Sequence, residues 1–124
     1  MPTLLIVDDE TALVRVLREA FELQLPGTVI HSASDWDEAM HVADGLASLD
    51  VLLTDQHLGA HTGIELCQAL GARFPALRTL IYTGKAGPKV EAAARDLGVR
   101  VLWKPLRLVA LVAEVRKELE AAGA

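Results

Sequence analysis

Short apolar runs alternate with longer stretches whose apolar residues recur every three or four positions, and the alternation repeats five times along the chain. Leu4-Leu5-Ile6-Val7 is wholly apolar, the pattern of a strand buried on both faces. A helical stretch follows, with Leu13, Val14, Leu17, Ala20 and Phe21 on one face, and Pro26-Gly27 stops it. Thr28-Val29-Ile30 reads as the second strand. Ser34 is placed to cap a helix through Trp36, Ala39, Met40 and Ala43. Val51-Leu52-Leu53 reads as a third strand ending at Asp55, and a glycine-bearing loop leads into a helix from about Gly63 to Ala72. Leu80-Ile81-Tyr82 ends at Thr83. Pro88 suits the first turn of a fourth helix and Gly98 its end. Val99 to Trp103 ends at Lys104-Pro105, and a last amphipathic helix runs from about Leu106 to Ala121, with the final residues frayed. Strand–helix alternation of this kind implies an α/β domain, a doubly wound parallel sheet with helices on both faces.

The chain has 124 residues, the size of one domain, and over half of them are apolar, enough for a packed core. A formal net charge of −5 argues against nonspecific binding to nucleic acid or to anionic membrane, which needs basic surface. No apolar run has the length of a membrane span, and Met1-Pro2-Thr3 lacks the charged start of a secretory signal. The lone Cys67 cannot form an internal disulfide. It sits on an apolar stripe with Ile64, Leu66 and Leu70, which reads as packing, and a reducing cytoplasm is the expected compartment.

In open parallel α/β sheets, sites form at the carboxyl ends of the strands. The first strand ends in Asp8-Asp9-Glu10, the third in Asp55, the fourth in Thr83 and the fifth in Lys104. Each residue alone has an ordinary explanation: a helix cap for Asp8, Asp9 or Thr83, a turn for Asp55, a solvated lysine for Lys104. Their joint placement at one rim is the informative observation. Clustered carboxylates raise one another's pKa, and a divalent cation removes that cost. All-oxygen ligation suits Mg²⁺, which bridges carboxylates to phosphate. Lys104 can neutralise a transferred phosphoryl group, and Thr83 can donate a hydrogen bond to it. Phosphoryl transfer depends mainly on such positioning and charge stabilisation.

Over essentially its whole length the sequence resembles the receiver domain of two-component response regulators, including the single-domain chemotaxis type. The matching stretches are Leu5-Ile6-Val7-Asp8-Asp9-Glu10, Leu53-Thr54-Asp55 with Leu58 and Gly63 downstream, Tyr82-Thr83-Gly84, and Lys104-Pro105. The resemblance implies a flavodoxin-like fold of strand order 2-1-3-4-5, with residues 1–124 as a single receiver domain. It implies that Asp55 is the phosphorylated aspartate and that Asp9 binds Mg²⁺ directly, with Asp8 acting through metal-bound water. The main-chain carbonyl of His57 would be a further ligand. Thr83 and Lys104 would contact the phosphoryl group, and Pro105 would follow a cis peptide bond. The donor would be a phosphohistidine on a sensor histidine kinase or phosphotransfer protein. The output would be a downstream protein contact, from a monomer or a phosphorylation-dependent dimer, with no direct nucleic-acid contact. Such a domain catalyses its own phosphorylation and slow dephosphorylation; it does not turn over a small-molecule substrate.

The chain departs from the family pattern at Val101, where an aromatic is frequent, at Trp103 directly before the lysine, and at Gly59, where proline is common. His57 and Lys85 are bulkier and more basic than many counterparts, at positions the family links to the rate of acyl-phosphate loss. Trp103 is either part of the output route or static packing under the last helix, and Trp36 stands on the second helix, away from that path. Asp55-Gln56-His57 also begins like the Asp-x-His-x-x-Gly signature of cobalamin-binding domains, but Ala60 stands where its glycine belongs. The Asp-x-Asp nucleophile motif of phosphoaspartate hydrolases does not follow the first strand, which ends in Asp8-Asp9-Glu10, and the complete set of Asp8, Asp9, Asp55, Thr83 and Lys104 argues against a degenerate receiver. His57 and His61 near Asp55 read as loop residues, with His31 and His41 on the surface or at strand ends.

Overall fold

The computed structural model describes residues 1–123. Its elements, in chain order, are β1 (Thr3–Val7), α1 (Thr11–Gln24), β2 (Val29–Ala33), α2 (Trp36–Asp44), β3 (Val51–Thr54), β4 (His57–Leu58), β5 (His61–Thr62), α3 (Gly63–Arg73), β6 (Arg78–Thr83), α4 (Pro88–Asp96), β7 (Arg100–Trp103) and α5 (Leu108–Gly123). The main sheet has five strands in the order β2-β1-β3-β6-β7. All its pairings are parallel, which is the expected 2-1-3-4-5 order of a flavodoxin-like α/β fold. The short β4–β5 hairpin is an addition with no periodic signature in the sequence.

Strand alternation divides the core. Leu4, Ile6, Leu53, Leu80 and Tyr82 face α1 and α5, where Leu17, Phe21, Leu111 and Val115 close on them. Leu5, Val7 and Leu52 face α2 and α3 through Ala39, Ala43, Leu66 and Leu70. Ile81 packs with Ala94 and Val99 under α4, and Val101 lies against them. Phe21 is wholly buried, and burying a side chain of that kind contributes about 1.5–3 kcal/mol. No helix among the described residues is long and apolar enough to cross a membrane.

Several local expectations are corrected. The second strand runs from Val29 to Ala33, because pairing with β1 recruits the polar His31 and Ser32 that its own composition left out. The α2 cap is Asp35, not Ser34: Asp35 is extended and its carboxylate accepts from the Glu38 amide at 2.8 Å, while Ser34 donates to the Glu38 side chain. The last helix runs from Leu108 to Gly123 rather than from about Leu106 to Ala121, and Ala124 lies outside the described residues. Trp103 is not packing under α5. It is 44% exposed and joins none of the apolar clusters. Trp36 stands on α2, as expected, and its ring stacks on His61 of β5 at 4.2 Å.

Candidate functional site

Strands β1, β3, β6 and β7 deliver the candidate residues to one rim because all point the same way. Asp8 follows β1, Asp55 follows β3, Thr83 ends β6 and Lys104 follows β7. One carboxylate oxygen from each of Asp8, Asp9 and Asp55 lies within 4.8 Å of the others. Asp8 is buried while Asp9 is exposed. The Lys104 ammonium donates to Asp8 at 2.8 Å and to Glu10 at 3.1 Å, and stands 3.7 Å from Asp55. It also sits 5.4 Å over the Tyr82 ring, a cation–π contact inside the usual reach.

Local turns aim these groups. Asp8 accepts from the Glu10 amide at 2.9 Å, which fixes the acidic run at the start of α1. Asp55 accepts from the Gln56 amide at 2.7 Å through Oδ1, leaving Oδ2 toward Lys104. Buried Gln56 then ties the acceptor loop to α3 by accepting from the Ile64 amide at 3.1 Å. Gly63 is required beside it, since a Cβ there would meet the Asp55 carbonyl oxygen at 2.4 Å. Thr62 opens α3 with a capping box to Glu65. Thr83 is not a helix cap, because Gly87 holds that place for α4. Its hydroxyl is wholly buried and engages the Lys85 backbone. The Lys104–Pro105 bond is cis.

The electrostatics are unbalanced. One ammonium, on Lys104, faces the carboxylates of Asp8, Asp9, Glu10 and Asp55. Burial raises the Asp8 carboxyl above its ordinary value, partly opposed by the Lys104 and Glu10 hydrogen bonds, and the Asp55 charge adds to the rise. Burial alone would lower the Lys104 ammonium, but the hydrogen bond and charge of Asp8, with Glu10 and Asp55, lift it above its ordinary value. It is therefore a permanent cation. An oxygen-rich cluster with surplus negative charge at a partly open rim fits a hard divalent cation such as Mg²⁺. Among the described residues this cluster contains no histidine or cysteine ligand, so a transition-metal centre built on His57 and His61 is not what the side chains form.

The structure thus brings Asp8, Asp9, Asp55, Thr83 and Lys104 to one rim. Val101 and Trp103 lie outside it, on β7. The His57 ring points to the Lys85 carbonyl oxygen, 2.9 Å away. Sequence reading missed Glu10 and Tyr82 as partners of Lys104. Glu10 was legible in the acidic run. Tyr82 was not, because its apolar context announced only a core residue.

Residues 4–116 match the response regulator receiver domain. Comparison with curated protein sequences gives no match. Among solved structures, a receiver domain from Methanospirillum hungatei superposes with a TM-score of 0.90 at 21% identity, covering 99% of this chain and 97% of that one. The signal receiver domain of an HD domain-containing protein from Pseudomonas fluorescens gives 0.88 at 25% identity, covering 98% and 97%. A response regulator from Burkholderia pseudomallei, solved with a phosphorylated aspartic acid, a calcium ion and citrate, gives 0.78 at 26% identity, covering 95% and 72%. With the parallel sheet order and the acidic rim already in place, the match over nearly the whole length makes this chain a member of the response regulator receiver domain family of two-component signalling.

Proposed function

We propose that this receiver domain accepts a phosphoryl group on Asp55 from a phosphohistidine of a sensor histidine kinase or phosphotransfer protein, and that the modified domain then changes its contacts with a downstream protein. The observation that carries the reading is the charge arrangement at Asp55, a carboxylate oxygen 3.7 Å from a permanent ammonium and beside two further carboxylates. The Asp55 oxygen attacks phosphorus as the bond to the donor imidazole breaks, and the imidazole leaves with its electron pair. Lys104 neutralises charge on the transferred group. Thr83 donates its hydroxyl proton to a phosphoryl oxygen once that proton is released from the Lys85 carbonyl. Asp9, Asp55 and the His57 main-chain carbonyl would hold Mg²⁺, with Asp8 acting through its water. The ion supplies the positive charge that lets several carboxylates and a phosphoryl group share the rim. Support for the metal and the modification comes from the calcium ion and phosphorylated aspartate of the Burkholderia relative.

The reading makes the chain a signalling domain and not a turnover enzyme, acting in the cytoplasm where Cys67 stays reduced. Monomer and phosphorylation-dependent dimer are both compatible with it. The test is incubation with Mg²⁺ and acetyl phosphate, followed by mass spectrometry. One phosphoryl adduct mapping to Asp55, absent without Mg²⁺ and absent in the near-isosteric Asp55→Asn variant, is expected. Undiminished labelling of Asp55→Asn would refute the assignment.

A further inference from the structure

We infer that the His57 side chain is a positioning residue for Thr83: through the Lys85 carbonyl it holds the loop between β6 and α4 in the arrangement that keeps the Thr83 hydroxyl off Asp55. The inference rests on the proposed roles of Asp55 and Thr83 and adds the imidazole to a reading in which only the His57 main-chain carbonyl took part.

His57 stands two residues beyond Asp55, and Lys85 two residues beyond Thr83. Strands β3 and β6 are paired neighbours, so the two loops leave the sheet side by side. The His57 Nε2 atom lies 2.9 Å from the Lys85 carbonyl oxygen. A carbonyl oxygen only accepts, so Nε2 carries a proton, in the neutral ring and the imidazolium alike. The same oxygen accepts from the Thr83 hydroxyl at 3.2 Å, and the Lys85 amide donates back to that hydroxyl at 3.3 Å. Thr83 has one hydroxyl proton, and here it is committed to Lys85. To donate to a phosphoryl oxygen on Asp55, the hydroxyl must leave Lys85, and the loop that follows Thr83 must give way with it.

His57 resists that movement from a braced position. Its hairpin turns at Gly59, which has a φ of 71° that favours glycine. At the far strand His61 stacks on Trp36 at 4.2 Å and 20° between planes, and its ring lies 3.8 Å from Glu65. The bond from His57 therefore ties Lys85, the partner of Thr83, to an element anchored on α2 and α3. Phosphorylation can shift such an equilibrium only through contacts that differ between its states, and the bond to Lys85 is one. One partly exposed hydrogen bond weights the resting arrangement by roughly threefold to tenfold.

The variants are His57→Ala, which removes the donor, and His57→Gln, whose side-chain amide can take the place of Nε2. Both keep the main-chain carbonyl. Two quantities are measured: amide hydrogen exchange at Lys85 in metal-free protein, and affinity for beryllofluoride, a phosphoryl mimic, in saturating Mg²⁺. His57→Ala is expected to speed Lys85 exchange and to bind beryllofluoride roughly threefold to tenfold more tightly, with His57→Gln returning both toward wild type. Unchanged or weaker beryllofluoride affinity in His57→Ala overturns the inference, whatever the exchange shows. Failure of the wild type to bind beryllofluoride sinks the acceptor reading and this inference with it, and that result appears before any substitution is made.

Discussion

The two ends of the sheet each bury a carboxylate, and they treat it in opposite ways. At the amino ends of β6 and β7, Glu118 of α5 is met by Arg78 at 2.5 Å and Arg100 at 3.2 Å, and Arg100 also pairs with Glu114. Two guanidiniums answer two carboxylates there. At the carboxyl ends, Asp8, Asp9, Glu10 and Asp55 share the single ammonium of Lys104. A matched network of planar, forked donors fastens α5 to the strands. An unmatched one leaves surplus negative charge that a bound cation would offset. The difference separates structural ion pairing from a site, although both ends look alike as a count of charged residues.

The largest expected effect breaks the matched end. Glu118→Ala leaves Arg78 and Arg100 without their buried acceptor and should cost about 1–3 kcal/mol in denaturant unfolding, with Mg²⁺ binding untouched. A stability loss below experimental error would mean the network is decorative. The unmatched end should respond in the opposite direction. Asp9→Ala removes a carboxylate without removing a partner of Lys104, so the metal-free protein should gain up to about 1 kcal/mol while losing most of its Mg²⁺-induced rise in melting temperature. Asp8→Ala should weaken Mg²⁺ binding less than Asp9→Ala does. If neither substitution alters the Mg²⁺-induced rise, these carboxylates are not the metal site.

Acidity sharpens the comparison further. Burial raises the Asp8 pKa, so folded Asp8 takes up its proton at higher pH than the unfolded chain does. Without metal, that group favours folding at low pH, and the benefit is lost as pH rises through its folded pKa. Glu114 runs the other way. The Arg100 hydrogen bond lowers its pKa below 4.5, so its contribution is present above that value and is lost as pH falls through the folded pKa. In paired melts, the deficit of Glu114→Gln should therefore vanish in acid, whereas any gain from Asp8→Asn should be largest at neutral pH. A pH-independent difference for either pair would contradict the assignment. The smallest effect is expected at Trp103, which is 44% exposed and joins none of the apolar clusters: Trp103→Phe, which keeps an aromatic ring, should change stability by no more than about 0.5 kcal/mol.

Much of this contrast was legible in the sequence, for a definite reason. The apolar runs of β1, β3 and β6 are buried on both faces, so their pattern is uninterrupted and their ends are sharp, and the residues just past those ends are the rim. β2 was truncated in the reading because, as an edge strand, it carries His31 and Ser32, and polar residues at half-buried positions look like loop. The β4–β5 hairpin was invisible because two-residue strands have no period. The Arg78–Glu118–Arg100 network joins residues far apart in sequence, and nothing local announces it. Trp103 could not be decided from the sequence because large aromatics are usually core, and only its 44% exposure speaks against packing under the last helix.

The claim that the surplus of carboxylates is the functional feature can be tested directly by calorimetric titration of Mg²⁺ into wild type, Asp9→Ala and Glu118→Gln. The account predicts one Mg²⁺ site in the wild type, an affinity at least roughly tenfold weaker in Asp9→Ala, and an unchanged site in Glu118→Gln. Equal binding by all three proteins, or binding lost in Glu118→Gln and kept in Asp9→Ala, would contradict it.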